Sequence, residues 1–523
     1  MGTSPERVTY ATLAAGQTEE FARKFDAAVE KVKAGLGGSH GHRIAGKETG
    51  EGGALEDRSP IDTRMVLGRF PSAMKADVDR AIEVARAAFP AWSRTPWRER
   101  CRILRRAADL IEERGFELSA LVSLEAGKSR LEAMGDVTET ADLARYYCEQ
   151  VERNDGFDRP MARFTEAEET RSVLRPYGVW VVVSPFNFPA ALAGGPVSGA
   201  LVAGNTVLLK PSRETPLTGL ALWRIFHEAG VPGDVFQIVF GTGEIAGEAL
   251  ATHPGVDGLL FTGSKPVGLS IWHRFSKDWP KPCITEMGGK NPAIIMPSAD
   301  LDAAAEGVMR SAFGYQGQKC SACSRVYVHE SVKARFAEML VERTGKVTIG
   351  DPSRAGVFLG PVIHERAYRN YERWADLARR EGRVLTGAEV LREGELAHGY
   401  FVAPTVVDGL PKDHALLREE LFVPIVCLAG VSSLDEALTL ANSSEYGLTA
   451  GLFSREQDEI QTFLDRIEAG VVYINRRAGA TTGAWPGVQP FGGWKGSGSS
   501  GKASGGLYYV QQFMREQSRT IVR

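Results

Sequence analysis

Residues 179–212, VWVVVSPFNFPAALAGGPVSGALVAGNTVLLKPS, decide the fold. The β-branched run VWVVV predicts a strand, because such side chains pack well on a buried pleated surface, and Ser184-Pro185 ends it. Small residues from Ala190 to Ala203 predict a closely packed helix, and NTVLLKPS a second strand. Beyond them come a helix at Leu217 to Ala229, the strand FQIVFG, a helix at Ile245 to Ala251 and the strand GLLFTGS. Strand and helix alternate in steps of about 25 residues, the pattern of a doubly wound parallel sheet and hence of the α/β class. Such sheets bind ligands at the carboxyl ends of their strands, where SPFNFP, KPSRE and FTGS fall.

A second alternating region runs from Asn291 to about Gly470, with PAIIM, RVYV, FVAPTVV, VPIVCLAG and GVVYIN as its strands. Ahead of both, a helix is expected over Glu19 to Leu36, then an exposed glycine-rich loop, GLGGSHGHRIAGKETGEGG. Helical apolar spacing continues from Lys75 to Arg114 and from Asp136 to Arg153. The stretch LYYVQQFMREQSRTIVR closes the chain as an interface arm. With 523 residues, two or three domains are expected. A net charge of −3 offers no basic surface for nucleic acid. The apolar tract Tyr177 to Leu209 contains Asn187, three prolines and five glycines, which suit strands and turns better than a membrane span. MGTSPERVTYATLAAG lacks the build of a secretory signal, and Glu6 breaks the myristoylation pattern. Six scattered cysteines make no disulfide framework, so a reduced, cytoplasmic protein is expected.

FGYQGQKCSACSR, residues 313–325, places Cys320 and Cys323 three apart. As half of a zinc site it lacks a second C-x-x-C, with His329 alone following. As a redox pair it lies deep in a large chain instead of opening a helix after a first strand. A nucleophile needs an oxyanion donor and a base. Asn187 offers an amide at a strand end, and Glu286 offers a carboxylate beside Gly288 and Gly289. Taken singly, Asn187 also reads as a helix cap and Glu286 as a surface carboxylate.

Seven motifs in order, SPFNFP, KPSRETP, FTGSKPVG, EMGGKNP, GQKC, EELFVP and QPFGGWKGSG, resemble the NAD(P)-dependent aldehyde dehydrogenase superfamily over about residues 60 to 523. The resemblance implies a Rossmann-like cofactor domain (1–154 and 179–288), an α/β catalytic domain (289–502) and small oligomerisation segments (155–178 and 503–523) in a homodimer or larger homo-oligomer. It implies Cys320 as nucleophile with Cys323 a bystander, Asn187 and the Cys320 amide as oxyanion donors, and Glu286 as the base that activates water. For NAD or NADP it implies Ser184, Pro185, Phe186, Lys210, Ser212, Arg213, Gly263, Ser264, Gly268, Glu420 and Phe422, and it implies no metal. The G-T-G-E-I-A-G at 241–247 has the wrong spacing for a dinucleotide fingerprint.

Three positions depart from the family pattern: Phe186 stands for tryptophan, Val423 for glycine, and Arg213 for a glutamate that accepts from ribose hydroxyls. An arginine there points to a 2′-phosphate, unless it turns outward to a surface carboxylate. FGYQGQKCSACSR and TGAWPGVQPFGGWKGSG are similar to glutamate γ-semialdehyde (1-pyrroline-5-carboxylate) dehydrogenases. That likeness implies Gly483 and Ala484 as a nest for the substrate α-carboxylate, with Lys319 and Ser321 flanking the nucleophile. Phe188 and Phe491 would wall the aliphatic stem, and Glu139 would receive the α-ammonium. Trp485-Pro486 departs from the pattern beside this nest. The other readings are a broad-specificity aldehyde dehydrogenase, a non-catalytic member of the fold and a cofactor-free thiol hydrolase.

Overall fold

The computed structural model describes residues 18–50 and 54–523; the signal and myristoylation readings of the N-terminus lie outside them. Its first sheet holds five parallel strands in the order Cys283–Glu286, Gly258–Thr262, Val179–Val183, Thr206–Lys210, Phe236–Ile238. Val179–Val183 comes first of these in the chain and lies in the middle, with the next two strands on one side and the last two on the other. The order therefore reverses between Val179–Val183 and Gly258–Thr262, which opens a crevice at their carboxyl ends. Ser184 and Gly263 leave the sheet there. Every residue of the three central strands is buried, so both faces are covered and no polar alternation shows.

The helix Ala191–Ala203 follows the first strand and packs on Arg130–Arg153 at a distance only small residues permit. A Cβ at Gly194 would fall 2.4 Å from Thr140 Cγ2, and one at Gly195 2.6 Å from Leu143 Cδ1. Nearby, Glu125 of the helix Gly115–Ala126 caps the helix Pro216–Glu228, accepting from the amides of Leu217 (2.6 Å) and Thr218 (3.0 Å) and from the Thr218 hydroxyl. Burial pushes the Glu125 carboxyl up to about 7; it also holds Asp57 well above its ordinary range, where the Glu125 charge adds to the effect.

A second seven-stranded sheet runs Arg383–Thr386, Thr405–Asp408, Ile425–Val431, Cys323–His329, Asn291–Ile295, Thr449–Phe453, Val471–Ile474, with only the first strand antiparallel. A third, small sheet pairs Met514–Val522 with Glu168–Pro176 along their full length and adds Asp158–Pro160.

Four expectations are corrected. The helix predicted to Leu36 ends at Lys33. The loop expected after it contains a strand pair, His42–Ile44 with Lys47–Thr49, that extends the first sheet. Ala45 (φ 53°) and Gly46 (φ 74°) turn that hairpin in the left-handed region, and buried His42 accepts the Phe240 amide at 3.1 Å. The glycines and histidines that read as loop are thus turn and hydrogen-bond residues. Residues 75–114 form two helices, Lys75–Arg94 and Trp97–Glu113, parted at Pro96, which offers no amide hydrogen to continue the first. The helix expected over 245–251 is a π-turn, Gly243–Gly247, followed by Glu248–Thr252.

Candidate active site

Cys320 sits on a turn between the helix Leu301–Phe313 and the strand Cys323–His329. Tyr315 (φ 50°), Gln316 (φ 56°) and Gly317 (φ 68°) precede it in the left-handed region, which costs about 1 kcal/mol for each residue with a side chain. Contacts from elsewhere hold this backbone. The Tyr315 hydroxyl donates to Ala126 O (3.0 Å), and Gln316 Nε2 donates to Gly127 O (2.8 Å) and Pro361 O (2.6 Å). Gln318 Oε1 accepts the Ile363 amide at 2.9 Å. Beyond the thiol, Asn291 Nδ2 donates to the carbonyls of Cys320 (2.7 Å) and Ala322 (2.9 Å). The Cys320 carbonyl presses so close to Gly289 that a Cβ there would lie 2.4 Å away. Cys320 is half-buried, whereas Cys323 is 1% exposed inside the strand, its thiol turned to Arg325 O. All six cysteines are free, and among the described residues no group of three or more histidines, cysteines or carboxylates gathers as a metal site.

Electrostatics divide the roles of the ionisable groups. Burial raises the Cys320 thiol well above its ordinary range, and the carboxylates of Glu286 and Glu420 raise it further, so Cys320 rests as a thiol. Glu286 ends the strand Cys283–Glu286, and burial alone pushes its carboxyl up to about 7, where it can take and return a proton near neutral pH. Glu420 is also lifted by burial to about 7, although its carboxylate accepts the Gly289 amide at 2.9 Å. Asn187 is 4% exposed on the segment leaving Val179–Val183.

Beside Cys320 opens a cavity with about 60 Å³ of room for solvent-sized groups, lined by Glu139, Phe188, Lys319, Ser321, Gly483, Ala484 and Phe491. Every residue expected to touch substrate therefore faces one space. Sequence reasoning missed Ala191, Leu192 and Thr482, which line it too. Gly483 has φ 123°, and a Cβ there would strike Arg476 Nη2 at 2.2 Å, so only glycine fits. Arg476 donates to the carbonyls of Thr482 (3.1 Å) and Gly483 (3.5 Å), so these acceptors are already paired.

The helix Arg130–Arg153 carries Glu132, Asp136, Glu139 and Asp142 three or four residues apart, hence on one face. Lys319 Nζ pairs with Glu132 at 2.6 Å, Lys128 Nζ with Asp136 at 3.1 Å, and Trp485 Nε1 donates to Asp142 Oδ2 at 2.8 Å. Lys128, fully buried, also lies 3.6 Å from the centre of the Phe188 ring, a cation–π contact that fixes this wall. Among the described residues no hydrogen bond or ion pair engages Glu139. Burial pushes its carboxyl up to about 8, with Asp136 and Asp142 adding to the rise and Lys128 and Lys319 opposing it.

The residues expected at a dinucleotide gather at the switch point of the first sheet. The Ser184 amide donates to Lys210 O (3.1 Å), and Gly263 donates to Glu286 O (3.0 Å), tying the cofactor-side turns to the base. Pro185 follows Ser184, and Phe186 meets Phe422 edge-on with ring centres 5.9 Å apart. Phe422 holds φ 56°, and Ser264 precedes the helix Lys265–Phe275. A Cβ at Gly268 would lie 2.6 Å from Met287 Sδ, so glycine brings that helix onto the segment of the base. Lys210 is buried, and its Nζ donates to the carbonyls of Pro211 (3.0 Å) and Gly241 (3.1 Å), leaving one N–H for a ribose hydroxyl. Around Gly243 a Cβ would meet nothing within 4 Å, which marks open space beside the lysine's strand end. This donor set fits a nicotinamide dinucleotide. Ser212 Oγ accepts the Glu214 amide at 3.2 Å, and Arg213 turns to Glu214 Oε1 at 2.8 Å with its side chain 59% exposed.

The chain matches the family model described as the aldehyde dehydrogenase family over residues 48–518. It is 37% identical over 514 residues to a 1-pyrroline-5-carboxylate dehydrogenase of Geobacillus sp. (strain WCH70), covering 96% of this chain and 97% of that one. It is 38% identical over 506 residues to the protein of the same name from Geobacillus thermodenitrificans (strain NG80-2), covering 95% of each. A solved 1-pyrroline-5-carboxylate dehydrogenase from Thermus with bound NAD superposes with a TM-score of 0.92 at 35% identity over 97% of both chains. With this match over nearly the whole sequence, the chain belongs to the aldehyde dehydrogenase family.

Proposed function

We propose that this enzyme oxidises L-glutamate γ-semialdehyde to L-glutamate, a step of proline catabolism. The observation that carries the substrate is the pocket itself. It holds Cys320, a carboxylate at Glu139 that no hydrogen bond or ion pair engages among the described residues, two phenyl walls and a glycine loop whose carbonyls are paired with Arg476. An amino-acid head group offers the ammonium and carboxylate that this pair of ends would bind, and the names of the curated relatives agree. Lys319 and Ser321 flank the nucleophile at the pocket floor.

Glu286 takes the Cys320 proton, and the sulfur adds to the aldehyde carbon, making a thiohemiacetal whose oxyanion Asn187 and the Cys320 amide stabilise. A nicotinamide dinucleotide, when bound, supplies the acceptor for the hydride that leaves this carbon. The carbonyl re-forms as a thioester on Cys320. Glu286 passes the first proton to solvent and then takes a proton from water as it attacks the thioester; the C–S bond breaks to release the carboxylic acid, and Glu286 returns its proton to the Cys320 thiolate.

Lys210, Ser212, Gly263, Ser264, Gly268, Glu420, Phe422 and the turn Ser184-Pro185-Phe186 would hold the dinucleotide. The Arg213–Glu214 pair supports NAD over NADP, because a 2′-phosphate would compete with Glu214 for the guanidinium and meet the nearby Glu244 charge. The small sheet built from 158–176 and 514–522, with Phe164 fully exposed and Val522 71% exposed, supports a role in homo-oligomer assembly. Five buried free cysteines and a thiol nucleophile suit a reducing compartment such as the cytoplasm. Among the described residues no helix is long and apolar enough to cross a membrane.

Reduction of NAD and NADP by the semialdehyde, propanal and benzaldehyde tests the reading. The semialdehyde should lead in kcat/KM by about tenfold or more, as expected for two charge-assisted contacts, and NAD should outrun NADP. Equal or better rates with the simple aldehydes would leave the catalytic centre standing and remove the substrate assignment.

A further inference from the structure

We infer that the hydrogen bond between Trp485 and Asp142 sets the span of the substrate pocket, making both specificity-determining positioning residues; this rests on the amino-acid substrate proposed above. The two ends of the pocket belong to different parts of the chain. The ammonium end, Glu139, stands on the helix Arg130–Arg153, and the carboxylate end, Gly483-Ala484, on a loop that follows the strand Val471–Ile474. Asp142 is three residues along the helix from Glu139 on the same face, and Trp485 is the next residue after Ala484. A bond of 2.8 Å between Trp485 Nε1 and Asp142 Oδ2 therefore joins the helix that carries one end to the loop that carries the other. Both partners are buried, Trp485 at 7% and Asp142 at 6% exposure, so water does not substitute for either.

The surrounding backbone keeps the tryptophan in place. Trp485 and Gln489 exchange amide bonds of 3.2 and 2.9 Å, closing 485–489 into a compact loop. Gly487, with φ 71°, packs against the Tyr146 ring, where a Cβ would fall 2.8 Å from Cε2. Its amide donates to Gly505 O, and the Gly505 amide donates to the Tyr147 hydroxyl. The loop thus rests on three residues of the Glu139 helix, Asp142, Tyr146 and Tyr147, and continues to Phe491, the second phenyl wall. Of the contacts described between this loop and the Glu139 helix, the indole bond lies nearest in sequence to the proposed nest. A ligand that holds both ends reads the distance between them; an aldehyde without a head group does not.

Trp485→Phe keeps the ring and removes the donor. We expect the ratio of kcat/KM for the semialdehyde over that for propanal to fall about tenfold, through KM for the semialdehyde and not through kcat. Asp142→Asn retains an acceptor and should keep the ratio near wild type, whereas Asp142→Ala should lower it as Trp485→Phe does, and serves if that variant does not fold. A fall shared equally by both substrates, or no change in the ratio in either variant, would overturn the inference while leaving the substrate assignment intact. Wild-type enzyme without preference for the semialdehyde would overturn the assignment and the inference together.

Discussion

Glu139→Gln tests the substrate site at the group whose state depends most on its surroundings. With its carboxyl at about 8, Glu139 is ionised in roughly one molecule in eleven at pH 7 and in half at pH 8. An ammonium ligand favours the ionised form, so binding at pH 7 includes about 1.4 kcal/mol to remove the proton. The direction follows from linkage: the bound carboxyl titrates lower than the free one, so affinity rises with pH through the free value and levels above it. Calorimetry with L-glutamate between pH 6 and 8.5 should show about fivefold tighter binding at pH 8 than at pH 7, with proton release at pH 7. Glutarate has both carboxylates and no ammonium, and should show neither effect. In Glu139→Gln, L-glutamate should lose the pH dependence and about tenfold to a hundredfold in affinity at pH 8. Identical pH profiles for the two ligands, or glutamate binding without proton release, would refute the placement of the ammonium at Glu139.

Further predictions concern the catalytic pair and the buried carboxylates Asp57 and Glu125. Cys320→Ala should abolish turnover and leave NAD binding, measured by fluorescence, close to wild type, whereas Cys323→Ala should stay active; the opposite result would exchange the two thiols. Single-turnover kinetics of Glu286→Gln should show slowed acylation followed by slower thioester hydrolysis. In the wild type kcat should rise as pH passes through about 7, because the base must be ionised. Asp57 and Glu125 titrate above their unfolded values, so the stability they confer is full below about pH 4 and is lost as pH rises through neutrality. Asp57→Asn should accordingly raise Tm at pH 8 more than at pH 6, and an equal shift at both would refute the raised titration of Asp57.

The residues that could be read in advance were those whose local chemistry matches their structural task. VWVVV and TVLLK are buried on both faces, so composition alone marks them as central strands. Cys320, Asn187 and Glu286 each lie in short motifs at strand ends or turns, where order along the chain carries the signal. The hairpin at 42–49 was hidden because its buried histidine and turn glycine have loop-like composition. Pairings such as Trp485–Asp142, 343 positions apart, and Gln316–Gly127, 189 apart, left no local trace. Gly483 was identified as a nest residue, but the left-handed backbone that makes glycine necessary there, and the arginine packed against it, emerge only from the structure.

The left-handed run ahead of Cys320 has a consequence for biosynthesis. Its restraints come from Ala126 and Gly127, which are made long before it, and from Pro361 and Ile363, which are made after it. The nucleophile's turn is thus completed only when segments from both sides of the chain have docked. Until then its thiol belongs to an ordinary flexible peptide, without the base and amides that make it a catalyst. Labelling Cys320 during refolding would therefore time the docking of these distant segments around its turn.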